Sequence, residues 1–205
     1  MNRRHLIAGL GMALMAGRAT AAKPAASQQK LANPSGKMFD AAYFDNIEVL
    51  THQGERVRFY QDLVEDKIVV FSMMYATCDG ICPANTANIK RVHKLLGDRV
   101  GRDIFFYSIT LRPSDDTPSV LSQYVSEHDI GAGWTFLTGD AADIQSLRLK
   151  LGFYDVDPAV DDDRSQHTGI LRIGNDVYDR WVMAPAAAAP EQILHTIALV
   201  DRDRR

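Results

Sequence analysis

Apolar and polar positions recur with two different periods along this chain, and each change of period marks an element. Glu48-Val49-Leu50 and Val57-Arg58-Phe59, on either side of a turn at Gln53-Gly54, predict a small hairpin. The run from Ile68 to Tyr75 (IVVFSMMY) is apolar on both faces and predicts a buried strand. From Pro83 to about Leu96 the spacing becomes helical, with Ile89, Val92, Leu95 and Leu96 recurring and Pro83 suited to a first turn. Asp103 to Leu111 predicts a second strand. Asp116-Thr117-Pro118 reads as the cap and first-turn proline of a second helix, with Val120, Leu121, Tyr124 and Val125 along one face. Trp134 to Leu137 predicts a third strand, and Ala141 to Leu151 a third helix carrying Ile144, Leu147 and Leu151. A solvated loop through Asp161-Asp162-Asp163 leads to His167-Thr168-Gly169 and a strand from Ile170 to Ile173. Gly174-Asn175 predicts a turn into a partner strand, Val177 to Met183. Alanines 186–189, between Pro185 and Pro190, form a loop before a last amphipathic helix, Glu191 to Val200.

Strands alternating with helices of this length give an α/β fold. A cysteine pair where the first long strand meets its helix makes the pattern thioredoxin-like. The expected architecture is a three-layer α/β/α sandwich with an N-terminal β-hairpin. The chain shows no internal repeat and no glycine-rich phosphate loop.

The N-terminus reads as an address rather than as structure. Arg3 and Arg4 form a basic head, Leu6 to Gly17 a short apolar stretch, and Ala19-Thr20-Ala21 a small-residue cleavage site. Twelve apolar residues are too few to span a bilayer, which takes about 20. Leu6 and Ile7 after the arginine pair fit a twin-arginine signal, with the general secretory route as the other reading. Residues 1–22 are thus expected to be an export signal, 23–39 a flexible leader and 40–205 one domain. Cleavage after Ala21 removes three arginines and leaves 20 basic against 26 acidic side chains, a formal charge of −6. That balance argues against nucleic acid or an anionic membrane as partner. The expected location is the periplasm, with no stable membrane anchor after cleavage. In an oxidising compartment disulfides can persist, which changes what paired cysteines mean.

Cys78 and Cys82 are the only cysteines, in Cys78-Asp79-Gly80-Ile81-Cys82-Pro83. A thiolate at a helix N-terminus is stabilised by unpaired backbone N–H groups and the positive end of the dipole, so its pKa should fall. The carboxylate of Asp79 should oppose that effect. The pair can close a disulfide or hold one metal ion. A purely structural disulfide is unattractive, because so short a loop removes little unfolded-state entropy. A metal site needs a further donor. Of the six histidines, His5 lies in the signal, and His52, His93, His128 and His195 read as surface residues. His167 differs, because it precedes the strand Ile170 to Ile173 after a loop long enough to reach the cysteines. Met73 and Met74 lie within a strand, one facing each side, and read as core.

With these motifs the chain resembles the Sco/SenC family of copper-binding proteins. The family's T-C-P-x-x-C-P corresponds to Thr77-Cys78-Asp79-Gly80-Ile81-Cys82-Pro83. Its D-T-P-x-x-L helix start corresponds to Asp116-Thr117-Pro118-Ser119-Val120-Leu121, its L-T-G to Leu137-Thr138-Gly139, and its late H-S/T to His167-Thr168. The resemblance runs from about Asp40 to Val200. It implies a thioredoxin-like fold that binds copper, Cu(I) or Cu(II), through Cys78, Cys82 and His167. Thiolates favour Cu(I), and imidazole with thiolates also holds Cu(II); structural zinc wants a fourth protein ligand. The implied partner is a copper-enzyme client such as a cytochrome c oxidase subunit. Two departures stand out. Asp79 replaces the proline after the first cysteine. The family's D-P-x-R-D-T reads Arg112-Pro113-Ser114-Asp115-Asp116-Thr117, so that acid and arginine are exchanged at Arg112 and Asp115.

Two functions are therefore expected to compete at Cys78 and Cys82: a periplasmic copper metallochaperone, and a thiol–disulfide oxidoreductase that reduces a copper-enzyme client. The second would need a thiol reductant protein as partner and would use the two cysteines as its redox pair. A peroxidase of the thioredoxin superfamily has weaker support, because the sequence places no peroxide-activating arginine.

Overall fold

The computed structural model describes residues 36–78, 80–163 and 169–201. The expected export signal, Asp79 and His167 lie outside the described residues. Seven strands form one sheet: β1 (Glu48–Thr51), β2 (Arg56–Arg58), β3 (Ile68–Met74), β4 (Ile104–Thr110), β5 (Trp134–Thr138), β6 (Ile170–Asn175) and β7 (Arg180–Pro185). Their spatial order is β2-β1-β5-β4-β3-β6-β7. The middle three, β3, β4 and β5, are parallel, while β6 runs antiparallel to β3 and β1 antiparallel to β5. The helices are α1 (Cys82–Leu96), α2 (Pro118–Glu127), α3 (Ala141–Lys150), the short α4 (Pro158–Asp161) and α5 (Pro190–Asp201).

All seven residues of β3 are buried. Their alternation supplies both faces of the sheet. Ile68, Val70 and Met74 enter one core with Ile89 and Val92 of α1, Leu121 of α2, and Ile193 and Ile197 of α5. Val69, Phe71 and Met73 enter a second core with Ile144 and Leu147 of α3 and with Phe59, Leu63 and Val64 of a π-helical turn. The molecule is therefore the expected three-layer sandwich, and Met73 and Met74 are core residues on opposite faces. Ser72, the polar interruption of the run, is satisfied by Ser108 Oγ at 2.8 Å, which also accepts from Trp134 Nε1 at 2.9 Å. The hairpin forms as expected, pairing Val49 with Val57, but Phe59 leaves it to be fully buried in the second core. Lys37, Met38 and Phe39 are already held by the domain: Lys37 Nζ pairs with Asp176 at 2.8 Å and Phe39 is buried.

Three expectations need correction. Asp161 does not sit in a solvated loop; it ends α4 and takes Arg148 in a two-pronged ion pair of 2.7 and 2.8 Å. The reason is Arg148 itself, which is buried on α3 and needs a counter-charge. His52 is not a surface residue, since its Nδ1 accepts from Phe136 N at 3.2 Å and burial pushes its pKa down. The cap and first-turn proline read in Asp116-Thr117-Pro118 are both found. Thr117 takes the cap, accepting from Val120 N at 3.4 Å, while Asp116 turns into the interior. Gly174-Asn175 continues β6 rather than turning, and the reversal falls at residues 176–179. Gly174 is needed there because the Trp181 ring closes over it: a Cβ would fall 2.0 Å from Trp181 Cε3.

That overlap sets the first prediction. Gly174→Ala should destabilise the domain by about 1–3 kcal/mol, the usual cost of overpacking. The check is a urea midpoint followed by tryptophan emission; an unchanged midpoint would mean that the Trp181 ring can swing aside.

Candidate metal centre

Three strand ends meet at one end of the sheet. The carboxyl end of β3 runs into Tyr75-Ala76-Thr77-Cys78. The carboxyl end of β4, in register with it, runs into Leu111-Arg112, and Leu111 N donates to Met74 O at 2.8 Å. Because β6 is antiparallel to β3, the chain enters it at this same end, and Leu171 pairs with Ser72. Carboxyl ends of parallel strands are where α/β folds place their ligands.

Cys82 is the first residue of α1, with Pro83 behind it in the first turn. Cys78 lies on the loop before the helix, its N–H donating to Tyr75 O at 3.2 Å. Both cysteines are thiols outside any disulfide and are buried, 9% and 2% exposed, and both belong to the core that α1 covers. Burial pushes the Cys78 pKa up, but hydrogen bonds outweigh it and the net shift is downward. Those bonds come from the Cys82 thiol, the Tyr75 hydroxyl and the backbone N–H groups of Cys82 and Gly80. The helix start therefore acts on Cys78 as expected, through named N–H groups rather than only through the dipole. Tyr75 feels the reciprocal effect: its hydrogen bond to Cys78, then burial, push its phenol up to about 12. Tyr124 of α2 also neighbours the thiols and bonds Thr86 Oγ1 at 2.8 Å.

Asp116 is wholly buried behind the loop. One carboxylate oxygen accepts from Ala76 N at 3.1 Å and from the Thr110 hydroxyl, and the other has no partner. The acid thus pins the backbone two residues before Cys78. Arg112, on the neighbouring strand end, lays its guanidinium 4.3 Å above the Tyr75 ring. Sequence reasoning missed Tyr75, Tyr124 and Asp116 as parts of this site. Tyr75 looked like the last residue of a strand, and only the parallel register of β3 and β4 reveals its neighbour.

Of the candidate ligands, Cys78 and Cys82 are brought together. Among the described residues no group of three or more histidine, cysteine, aspartate or glutamate side chains is placed to hold a metal ion. His93 bonds Ala132 O at 2.8 Å and His128 stacks on Tyr124, while His195 is exposed on α5; none reaches the cysteines. Gly169, two residues after His167, lies against the cysteine loop: a Cβ there would be 3.9 Å from Ile81 Cδ1.

The SCO1/SenC family model matches residues 36–199. The chain belongs to the SCO1/SenC family. No curated protein matches it by sequence. Solved SCO1/SenC structures share its fold. Copper-bound yeast Sco1 superposes with a TM-score of 0.60 at 17% identity, covering 77% of this chain and 91% of that one. A SCO1/SenC family lipoprotein from Bacillus anthracis gives 0.61 at 19%, with coverage of 76% and 93%. Copper-bound ScoI of Bradyrhizobium japonicum gives 0.57 at 20%, with 75% and 96%. The thioredoxin-like expectation holds, and the motif windows quoted from the sequence fall inside the matched region.

The hydrogen bonds at Cys78 make a prediction for this SCO1/SenC chain. The rate of Cys78 alkylation against pH should inflect below the ordinary thiol value of about 8.5, because the thiolate is the reactive form. Tyr75→Phe, which deletes one donor, should move the inflection upward. A wild-type inflection at 9 or above would contradict the assignment.

Proposed function

We propose that this chain is a periplasmic copper metallochaperone. It carries one copper ion on Cys78, Cys82 and His167 and assists assembly of a copper centre in a respiratory oxidase or a similar copper enzyme. The observation that carries the reading is two buried thiols brought together at one helix start in a SCO1/SenC chain. Two SCO1/SenC relatives, from yeast and from Bradyrhizobium japonicum, are known with copper bound.

The donor set suits that cargo. Two soft sulfurs in an apolar core satisfy Cu(I), which accepts two-coordinate thiolate ligation. The described residues offer no further pair of donors for a four-ligand zinc site. His167 supports the reading by its place in the chain: two residues span at most about 7 Å, and Gly169 is already against Ile81. The export signal read at the N-terminus supports a periplasmic location, by the twin-arginine or the general secretory route. Copper would be the cargo; the protein's part is to hold Cys78 ready as thiolate, to keep the pair under apolar cover, and to fix the loop through Asp116.

A second reading has an observation of its own. The downward shift at Cys78 favours thiolate attack on a disulfide, as in an oxidoreductase that reduces the cysteines of a copper-enzyme client. The two uses alternate, because a pair tied up as a disulfide has no thiolates left for copper.

Copper titration of the reduced protein separates them. The expected stoichiometry is one copper per chain, lost in the Cys78→Ala, Cys82→Ala double variant. His167→Ala should weaken Cu(II) by about a hundredfold and Cu(I) by less than about tenfold, since Cu(II) needs more donors. Disulfide formation should be nearly unchanged. Intact Cu(II) affinity with a large loss of thiol–disulfide exchange rate would make His167 a proton-transfer group and the protein a reductase first.

A further inference from the structure

At the carboxyl end of β4 a cation, Arg112, stands over Tyr75 beside the cysteine site. Arg112 sits where β4 ends beside β3, and its backbone is fixed on both sides. Its N–H donates to Thr110 Oγ1 at 2.9 Å, and its carbonyl accepts from Asp115 N at 3.0 Å and Asp116 N at 2.9 Å. Its guanidinium lies 4.3 Å from the centroid of the Tyr75 ring, a cation–π distance. The same tyrosine bonds Cys78 through its hydroxyl and feels the charge of Cys82 and of Arg112. One ring therefore separates the guanidinium from the thiol pair. Among the described residues Arg112 takes part in no ion pair, and it is exposed. No described carboxylate pairs with its positive charge. Asp115 is exposed, its carboxylate accepting from Ser114 Oγ at 3.1 Å, whereas Asp116 is committed to Ala76 and Thr110.

We infer that Arg112 is a specificity-determining residue of the copper site: its charge, held on the Tyr75 ring, biases the site towards Cu(I) over Cu(II). The inference rests on the copper reading given above. Two thiolates and a neutral imidazole around Cu(I) carry a net charge of −1, and around Cu(II) a net charge of zero. A fixed positive charge nearby stabilises the first state and leaves the second almost unchanged. The couple takes up one electron at the metal, and Arg112 gains and loses no proton, because a guanidinium stays protonated. An aspartate at position 112 would act in the opposite sense. Since Arg112 is exposed, solvent weakens the effect, and a bias of about three- to tenfold in the Cu(I)/Cu(II) preference is expected.

The experiment is a potentiometric titration of copper-loaded wild type, Arg112→Lys, Arg112→Gln and Arg112→Asp, with the electron supplied by the electrode through mediators. Arg112→Gln should lower the potential by about 30–60 mV, which is three- to tenfold at 59 mV per tenfold for one electron. Arg112→Asp should lower it further, and Arg112→Lys should stay near wild type. The differences should shrink at about 1 M salt, where the Debye length is about 3 Å. Equal potentials for wild type, Arg112→Gln and Arg112→Asp, with copper bound in all, would overturn the role of Arg112 and leave the copper reading standing. Arg112→Lys falling with Arg112→Gln would also overturn it, since shape and not charge would then matter. A wild-type protein that binds neither Cu(I) nor Cu(II) through its thiols would remove the copper reading, and this inference with it.

Discussion

The position of β3 between two separate cores is the constraint on which the cysteine site depends. Its side chains alternate into both, so a shift of one residue would send Val70 and Met74 to the wrong face and leave neither core filled. That double burial fixes where the strand stops. It stops at Met74, and the next four residues carry the chain to Cys78. Parallel pairing with β4 and antiparallel pairing with β6 then bring two further chain segments to the same end. The site is a by-product of register: Tyr75 meets Arg112, and Gly169 comes against Ile81, because three strands are locked against one another.

The electrostatics of the site follow from that crowding. A thiol in an apolar core should be hard to ionise, and burial does oppose the Cys78 thiolate. Four donors reverse the outcome, two of them backbone N–H groups around the start of α1. The loop stays in place because Asp116, itself fully buried, holds Ala76 from behind. Polar groups are thus spent in pairs: one set prepares the sulfur, another fixes the backbone that carries it. Arg112 adds a positive charge from outside, through the Tyr75 ring.

Much of this was legible in the sequence because it depends on local pattern. The unbroken apolar run marked β3, the helical spacing after Pro83 marked α1, and Cys82 did prove to open that helix. The misreadings share a cause. Gly174 suggests a turn former but is a flat place on a strand for Trp181, and Asp161 suggests a solvated loop but neutralises buried Arg148. Each residue type has a common local use, and in each case a partner distant in the fold claimed it instead.

By itself the sequence determined the elements, their order, the cysteine pair and its family motifs, since strand and helix periods and short motifs are properties of neighbouring residues. The tertiary structure alone decided which groups surround the sulfurs. Tyr75 and Arg112 are 37 positions apart, and Ala76 and Asp116 40 apart. They meet only because β3 and β4 pair in parallel with Met74 opposite Thr110. Nothing in the local sequence encodes that register. It is set by which side chains fill the two cores, and with it comes the charge that faces the site.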